Sequence, residues 1–452
     1  MKKMKHDVPT RLVKVLNLIL MMVAFGFVWY GYYAARAQVH YYRRGDWVVI
    51  LLFGILYYGF CRSYDAFHIS ISPISEIIYS QTLALIISDF IMYVVIWLLS
   101  LYMPNAVPLL ITFVVQFLIS VLWTFLAHQW YFHNFQPGRT AVIYDLREGM
   151  ESLVGEYGME KKFHIEKVLG VEECLEKLFV LDEMDTVFLS GIHSHERNII
   201  LKYCMYQDIQ VYVIPRIGDV IMGGAKKVHM FHLPMLRIDR YRPIPEYTIA
   251  KRAFDILFSG IAIVIASPFM LVTAIAIKSD GGPALYKQKR LTKDGKEFNV
   301  LKFRSMRVDA EKDGVARLST GDKDDRITPV GKVIRKIRFD ELPQLFNILR
   351  GDMSIVGPRP ERPEIARQYE EEMPEFRLRL QAKAGLTGYA QVYGKYNTTP
   401  YDKLLMDLTY IGTPSLWEDF KICLATVKIL FMPESTEGVA EGATTAMGGE
   451  KH

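Results

Sequence analysis

Two adjacent carboxylates, Asp340 and Glu341, stand in the segment Gly331-Lys-Val-Ile-Arg-Lys-Ile-Arg-Phe-Asp-Glu-Leu-Pro-Gln-Leu-Phe-Asn-Ile-Leu-Arg-Gly351, just behind Arg335 and Arg338. An acidic pair among cations suits phosphoryl transfer: one carboxylate attacks phosphorus while the other holds a divalent metal that neutralises the leaving phosphate. Adjacent acids at a helix start are also ordinary dipole chemistry, so the pair alone leaves both readings open. Upstream, Lys302-Phe-Arg-Ser-Met306 puts Lys302 and Arg304 on alternate positions, and downstream Pro358-Arg-Pro360 sets Arg359 on a backbone stiffened at both neighbours. That tripeptide suits a fixed phosphate contact, though by itself it is a common turn.

The elements that position these groups show in the periodicity. Val333, Ile334 and Ile337 on one side of the acidic pair, and Leu342, Leu345, Phe346 and Leu349 on the other, recur at helical spacing. Pro343 fits the first turn of the second helix, which would place the carboxylates at a helix N-terminus, where Arg335 and Arg338 face any bound anion. Between Asp280 and Arg350 there are 17 Lys and Arg against 11 Asp and Glu, an excess of +6 when the whole chain carries only +5. So concentrated a basic surface suits an anionic substrate or anionic lipid headgroups. Nucleic acid is not the expected partner, since the aromatics here are not spaced as stacking platforms and the segment is tied to a bilayer.

The surroundings are membranous. The 452 residues are 51% hydrophobic and 13% aromatic, with a mean hydropathy of +0.13, too apolar for an ordinary soluble chain. Uncharged runs at Val15–Ala35, Trp47–Cys61, Ile77–Leu101 and Val107–Ala127 predict four spans. The second is short unless Arg62 snorkels to the interface. Asp89, alone in the third span, is expected to make an inter-helix hydrogen bond rather than to serve an ion path. Lys2, Lys3, Lys5, Arg11 and Lys14 outnumber Arg36, Arg43 and Arg44 and favour a cytoplasmic N-terminus, so four spans return the chain to that side. Cys61, Cys174, Cys204 and Cys423 are too scattered for a disulfide framework or a zinc cluster.

Beyond the spans, Ala141–Tyr144, Thr186–Leu189 and Gln210–Ile214 alternate with helical patterns at Val171–Phe179 and His195–Met205, the signature of a parallel α/β domain. The first strand runs into Asp145-Leu-Arg-Glu-Gly149 rather than GxGxxG, so the domain is Rossmann-like without a dinucleotide. His193 and His195 read as a surface loop, and Gly218–Lys227, lacking a terminal GK[ST], as a turn. Ile256–Ile277 is a fifth uncharged run with Ser267-Pro268 in its middle and basic flanks on both sides, which predicts a hairpin entering and leaving on one side; a fifth kinked span is the competing reading. Tyr401–Ile411 and Leu416–Leu424 read as amphipathic helices, interfacial or packed on the core.

Taken in order, Lys251-Arg-Ala-Phe-Asp255, the Ser-Pro-broken hairpin, KFRSM (302–306), DELPQLFN (340–347), GDMSIVGPRP (351–360) and AGLTG (384–388) resemble the bacterial sugar transferase family, the monotopic phosphoglycosyl transferases, over about residues 248–430. With four spans and a Rossmann-like domain ahead of it, the chain looks like the long polyprenyl-phosphate hexose-1-phosphate transferase branch, which includes undecaprenyl-phosphate glucose or galactose phosphotransferases.

This resemblance implies transfer of a hexose 1-phosphate from a UDP-sugar to undecaprenyl phosphate with release of UMP, the initiating step of capsule or exopolysaccharide synthesis. It gives Asp340 the role of nucleophile and Glu341 that of Mg²⁺ ligand, makes Lys302, Arg304, Arg335 and Arg359 contacts to phosphate and uridine diphosphate, and lets Pro358 and Pro360 shape the pocket. A homodimer, and a place in the bacterial inner membrane with the catalytic part in the cytoplasm, follow from the same resemblance.

The expected fold is therefore a membrane protein of α plus α/β class. A transmembrane four-helix region (1–135) is followed by a Rossmann-like domain (136–245), a mainly α catalytic domain (246–432) with a re-entrant hairpin over 251–278, and a disordered tail (433–452). The alternative is a non-catalytic membrane scaffold or sensor whose Rossmann-like domain binds a nucleotide or partner, for which Asp340 and Glu341 are dispensable.

Overall fold

The computed structural model describes residues 2–36, 45–100, 102–279, 281–307, 326–394 and 398–430. The tail expected to be disordered and the polar stretch after Arg307 lie outside them. The chain divides into two compact units, Met1–Ile214 and Pro215–His452.

The first unit opens with α1 (Lys2–Val28), which continues through a π turn at Trp29–Tyr33, followed by α2 (Gly45–Ser63), α3 (Ile74–Leu99) and α4 (Val107–Asn134). Each helix packs on the next, and α4 returns against α1. All four are long and apolar enough to cross a bilayer. The second gains length at both ends: Trp29 Nε1 donates to the Asp46 carboxylate at 2.8 Å, and Arg62 sits in the last turn. Their interior holds polar contacts that the apolar pattern hides. Tyr57 OH donates to Asn17 Oδ1 at 2.9 Å and Ser120 Oγ to Gln81 Oε1 at 2.6 Å. Asp89 is buried as well, but instead of the expected inter-helix hydrogen bond its carboxylate has no partner among the described residues.

The same unit carries β1 (Gly138–Tyr144), α5 (Met150–Glu156), β2 (Phe163–Gly170), α6 (Val171–Glu176), β3 (Thr186–Ser190), α7 (Ser194–Tyr206) and β4 (Gln210–Val213). The four strands form one parallel sheet in the order β2-β1-β3-β4. Its faces bury two apolar clusters, one around Ile143, Val187, Leu189 and Ile200 and one around Val142, Phe163 and Phe188. Every residue of β3 is buried, as a central parallel strand requires.

The second unit begins with α8 (Ile217–Gly223) and the hairpin β5 (Lys226–Met230) and β6 (Leu233–Arg237). The turn expected over Gly218–Lys227 is thus a helix running into a strand. Arg216 N–H donates to Asp219 Oδ2 at 2.8 Å to start the helix, while Ile217 and Val220 pack on the cluster of Val356, Ile365, Leu404 and Leu408. Gly224 approaches Gly412 so closely that a Cβ would lie 2.8 Å from the Gly412 Cα. These contacts tie α8 to the second unit, which begins at Pro215.

Next come α9 (Pro245–Ser279), β7 (Leu285–Leu291), β8 (Glu297–Phe303), α10 (Pro329–Lys336), α11 (Gln344–Arg350), β9 (Ser354–Val356), α12 (Pro363–Glu372), the 3₁₀ segment Pro374–Gln381, β10 (Gly385–Thr387), α13 (Tyr389–Tyr393), α14 (Pro400–Gly412) and α15 (Leu416–Leu430). Where the pattern suggests two helices meeting at Ser267-Pro268, one helix runs through Pro268, with Ser267 Oγ donating to Val264 O at 2.8 Å. A proline forfeits one helix hydrogen bond and strains the preceding turn, which a 35-residue helix can absorb.

Both halves of α9 pack on the same unit. Arg252 donates to Ile348 O (2.6 Å) and Leu349 O (2.7 Å), satisfying carbonyls at the end of α11, and Asp255 accepts from Ile355 N–H (2.9 Å) and Ser354 Oγ (3.1 Å). Further along, Ile263 joins the cluster of Val300, Leu345 and Ile348, while Met270, Ala274 and Ile277 join that of Phe303 and Ile334. The outward side, including Leu257, Val264, Ile265, Leu271 and Val272, is exposed and apolar. Helices α14 and α15 both contribute buried residues to the cluster around Leu404, Leu408 and Ile422, so they pack on the core.

Candidate active site

The acidic pair occupies a 3₁₀ turn, Phe339–Glu341, between α10 and α11, a few residues ahead of the helix start that the periodicity indicates. Arg338, just before it, takes a left-handed conformation (φ 58°, ψ 20°), unusual for a non-glycine residue. That reversal ends α10 and turns the two carboxylates inward.

What fixes the turn against its neighbours is Asn347, a residue of the DELPQLFN segment to which sequence reasoning assigned no role. Its buried amide treats β8 as a strand partner: Leu301 N–H donates to Asn347 Oδ1 at 2.9 Å, and Asn347 Nδ2 donates to Asn299 O at 2.8 Å. With α11 clamped to β8 in this way, Lys302 at the next strand position meets the acidic pair. Its Nζ donates to Glu341 Oε1 at 2.9 Å. Arg359 reaches the same oxygen at 3.5 Å from the opposite side of the chain.

The Arg359 backbone is held by close glycine contacts. Strands β9 and β10 run parallel, and Gly357 N–H donates to Thr387 O at 2.9 Å. A Cβ on Gly357 would lie 2.3 Å from Lys383 O, one on Gly385 2.2 Å from Gly357 N, and one on Gly388 2.1 Å from Gly357 O. Gly357, Gly385 and Gly388 are there because two backbones touch.

The two carboxylates are driven apart electrostatically. Burial raises the Asp340 carboxyl above its ordinary value, and the Glu341 charge adds to this against the opposing cations Lys302, Arg335 and Arg338. Burial would also raise Glu341, but Lys302 and Arg359 outweigh it and hold this carboxyl well below the usual range. The first proton taken up by the pair therefore goes to Asp340. Lys302 is lowered by burial, with Glu341 opposing. For a reaction that needs ionised Asp340, the expected pH profile follows: kcat/KM falls as the pH drops through an apparent pKa above the ordinary aspartate value, while Glu341 stays charged. Steady-state rates taken from the acid side to neutrality check this, and a profile flat through that range would show that Asp340 ionisation is not required.

Lys302, Arg335, Asp340, Glu341 and Arg359 are thus brought together, with Pro358 and Pro360 flanking Arg359 in the chain. Arg304 stands apart: it is buried and donates to Ile277 O at 2.9 Å, tying down the end of α9, and its Nε has no partner among the described residues. Arg290 is a further residue that the motifs did not single out. Its Nη1 donates to Pro360 O at 2.9 Å.

Asp340 and Glu341 are adjacent hard oxygen donors in one turn, a donor set that fits Mg²⁺, which takes one or two protein carboxylates and completes its shell with phosphate oxygens and water.

The profile of the bacterial sugar transferase family matches residues 246–433. Over 234 residues the chain is 40% identical to a UDP-N-acetylgalactosamine-undecaprenyl-phosphate N-acetylgalactosaminephosphotransferase of Aeromonas hydrophila, covering 51% of this chain and 54% of that one. It is 40% identical over 201 residues to a UDP-glucose:undecaprenyl-phosphate glucose-1-phosphate transferase of Caulobacter vibrioides, covering 43% of this chain and 74% of the relative. It is also 38% identical over 236 residues to an undecaprenyl-phosphate galactose phosphotransferase of Salmonella typhimurium, covering 49% of each. The matched part is about half the length of the Aeromonas and Salmonella relatives. The matched segment contains the acidic pair, the lysine strand and the glycine-held arginine, and the chain belongs to the bacterial sugar transferase family.

Proposed function

We propose that the protein transfers a hexose 1-phosphate from a UDP-sugar to undecaprenyl phosphate, releasing UMP and forming undecaprenyl-diphosphate-sugar. The observation that carries this reading is the convergence of cations on the acidic pair: Lys302 Nζ lies 2.9 Å and Arg359 Nη2 3.5 Å from Glu341 Oε1, with Asp340 beside it in the same turn. A basic carboxylate is a better nucleophile, and the cations that hold Glu341 also face the place where phosphate charge develops. The names of the relatives, which give undecaprenyl phosphate as acceptor, support the same reading.

In this mechanism an Asp340 carboxylate oxygen attacks the sugar-bearing phosphorus, a bond forms between them, and the bridging bond to the uridine-bearing phosphate breaks. UMP leaves with the electron pair. An oxygen of undecaprenyl phosphate then attacks the same phosphorus and returns Asp340 as the free carboxylate. Lys302 and Arg359 orient the diphosphate, and Arg335 and Arg338 offset the charge at Asp340. Glu341 would hold Mg²⁺ against the diphosphate, where the ion supplies neutralisation of the charge on the leaving UMP.

The acceptor is a lipid, and α9 fits that requirement. Both halves of this one helix pack on the same unit while its outward side is apolar, so we place it along one leaflet without crossing, holding the site at headgroup depth. A cysteine at position 293, with the native cysteines replaced, is then expected to react with a membrane-impermeant maleimide only after lysis. Labelling in intact cells would place α9 as a fifth span.

The reading itself is tested by UMP release from purified protein supplied with Mg²⁺, undecaprenyl phosphate and a panel of UDP-sugars. Release with one donor supports it, and silence with every donor moves the scaffold reading to first place.

A further inference from the structure

Arg359 has to present its guanidinium to Glu341 from a loop, and the backbone of that loop is held to an unusual degree. Four successive carbonyls are taken: Pro358 O accepts from Gly385 N–H (2.9 Å), Arg359 O from Arg379 Nη2 (2.9 Å), Pro360 O from Arg290 Nη1 (2.9 Å) and Glu361 O from Leu291 N–H (3.0 Å). The one on Arg359 itself comes from a side chain that lies outside every motif singled out in the sequence.

Arg379 sits in the 3₁₀ segment Pro374–Gln381 and is 3% exposed. Its guanidinium is enclosed by charge contacts, while Nη1 has no hydrogen-bond partner among the described residues. Nη2 lies 2.7 Å from Asp407 Oδ2, a close charge contact on α14, and Nη1 lies 3.6 Å from Glu361 Oε1, while the Phe376 ring centroid is 4.8 Å from its Cζ. Asp407 is 1% exposed. Glu361 in turn faces Arg290 Nη1 at 3.8 Å. A buried cation confined between two carboxylates and a ring directs its hydrogen bond to Arg359 O, which restrains the backbone of that site residue.

We propose that Arg379 is a positioning residue for transfer: by holding the Arg359 carbonyl it keeps the Arg359 guanidinium directed at Glu341 and the substrate diphosphate. Its effect on turnover rests on the function proposed above, whereas its hold on the loop does not.

Arg379→Ala would remove the cation nearest to buried Asp407 and is expected to compromise folding. Arg379→Lys keeps the charge beside Asp407 but cannot fork to Asp407, Glu361 and the carbonyl together. It is expected to lower kcat/KM for the UDP-sugar by about tenfold or more in the native background, and by less than about twofold when Arg359 is already alanine, because its action passes through Arg359. Equal losses in the two backgrounds would mean a structural role alone and would overturn the proposal.

Hydrogen exchange supplies a readout independent of activity. The amides of Leu291 and Gly385, which donate to the same loop, should exchange faster in Arg379→Lys, while those of β1 and β3 in the other unit stay unchanged. Unaltered exchange at Leu291 and Gly385 would also overturn it. A native protein that releases no UMP with any donor would sink the transferase reading, and the exchange comparison would then decide whether Arg379 holds the loop.

Discussion

Asp340→Asn is expected to lower UMP release by at least about a thousandfold, with the protein still folded, because an amide of the same shape has no anionic oxygen to attack phosphorus. Glu341→Gln should be comparably inactive for a different reason. Glu341 is the counter-charge for Lys302 at 2.9 Å and Arg359 at 3.5 Å, so neutralising it leaves two partly buried cations facing each other and removes the expected metal ligand. Loss of one member of such a pair costs about 3–5 kcal/mol when the other is left uncompensated. Glu341→Gln is therefore expected to lower thermal stability visibly, whereas Asp340→Asn, which relieves repulsion from Glu341, should leave it unchanged or raised. Kinetics and thermal melts on the two variants separate the roles. Turnover by Asp340→Asn at the native rate would exclude Asp340 as nucleophile.

Arg359→Ala is the second large effect, expected to reduce kcat/KM for the donor by about 10²–10³, the usual loss when a preorganised cation facing developing charge is removed. Lysine at this position should recover part of the loss, since it restores the charge but not the planar fork. The segment around Arg359 is held by Arg379, Arg290 and the glycine contacts of Gly357 and Gly385, none of which uses the Arg359 side chain, so the fold should persist. Steady-state kinetics with the donor varied decides it. Unchanged constants would remove Arg359 from the site.

The sequence made the chemistry more legible than its supports. The acidic pair, Lys302 and Arg359 were visible as charges in motifs, and they do converge. Asn347 and Arg379 were not legible as supports, because each acts on backbone carbonyls or amides that composition cannot show. Arg304 illustrates the converse: its alternation with Lys302 made it look like a partner at the site, whereas it follows the last residue of β8 and its Nη2 donates to Ile277 O at the end of α9.

Among the elements, β1, β3 and β4 stood out as apolar runs, but β2 (Phe-His-Ile-Glu-Lys-Val-Leu-Gly) did not, since the polar residues on its exposed positions make it read as a mixed polar segment. Helix α8 was hidden by its glycines, and tertiary packing of Ile217 and Val220 overrode their local preference. Span α2 exceeded its uncharged run because Asp46 found Trp29.

The most direct test of covalent transfer omits the acceptor. With UDP-sugar and Mg²⁺ alone, a two-step mechanism through Asp340 predicts a burst of UMP of about one equivalent per site and a phosphosugar adduct on the peptide carrying Asp340, discharged on addition of undecaprenyl phosphate. The absence of both UMP and adduct until the acceptor is added would contradict the account and require direct attack of the lipid phosphate on the donor.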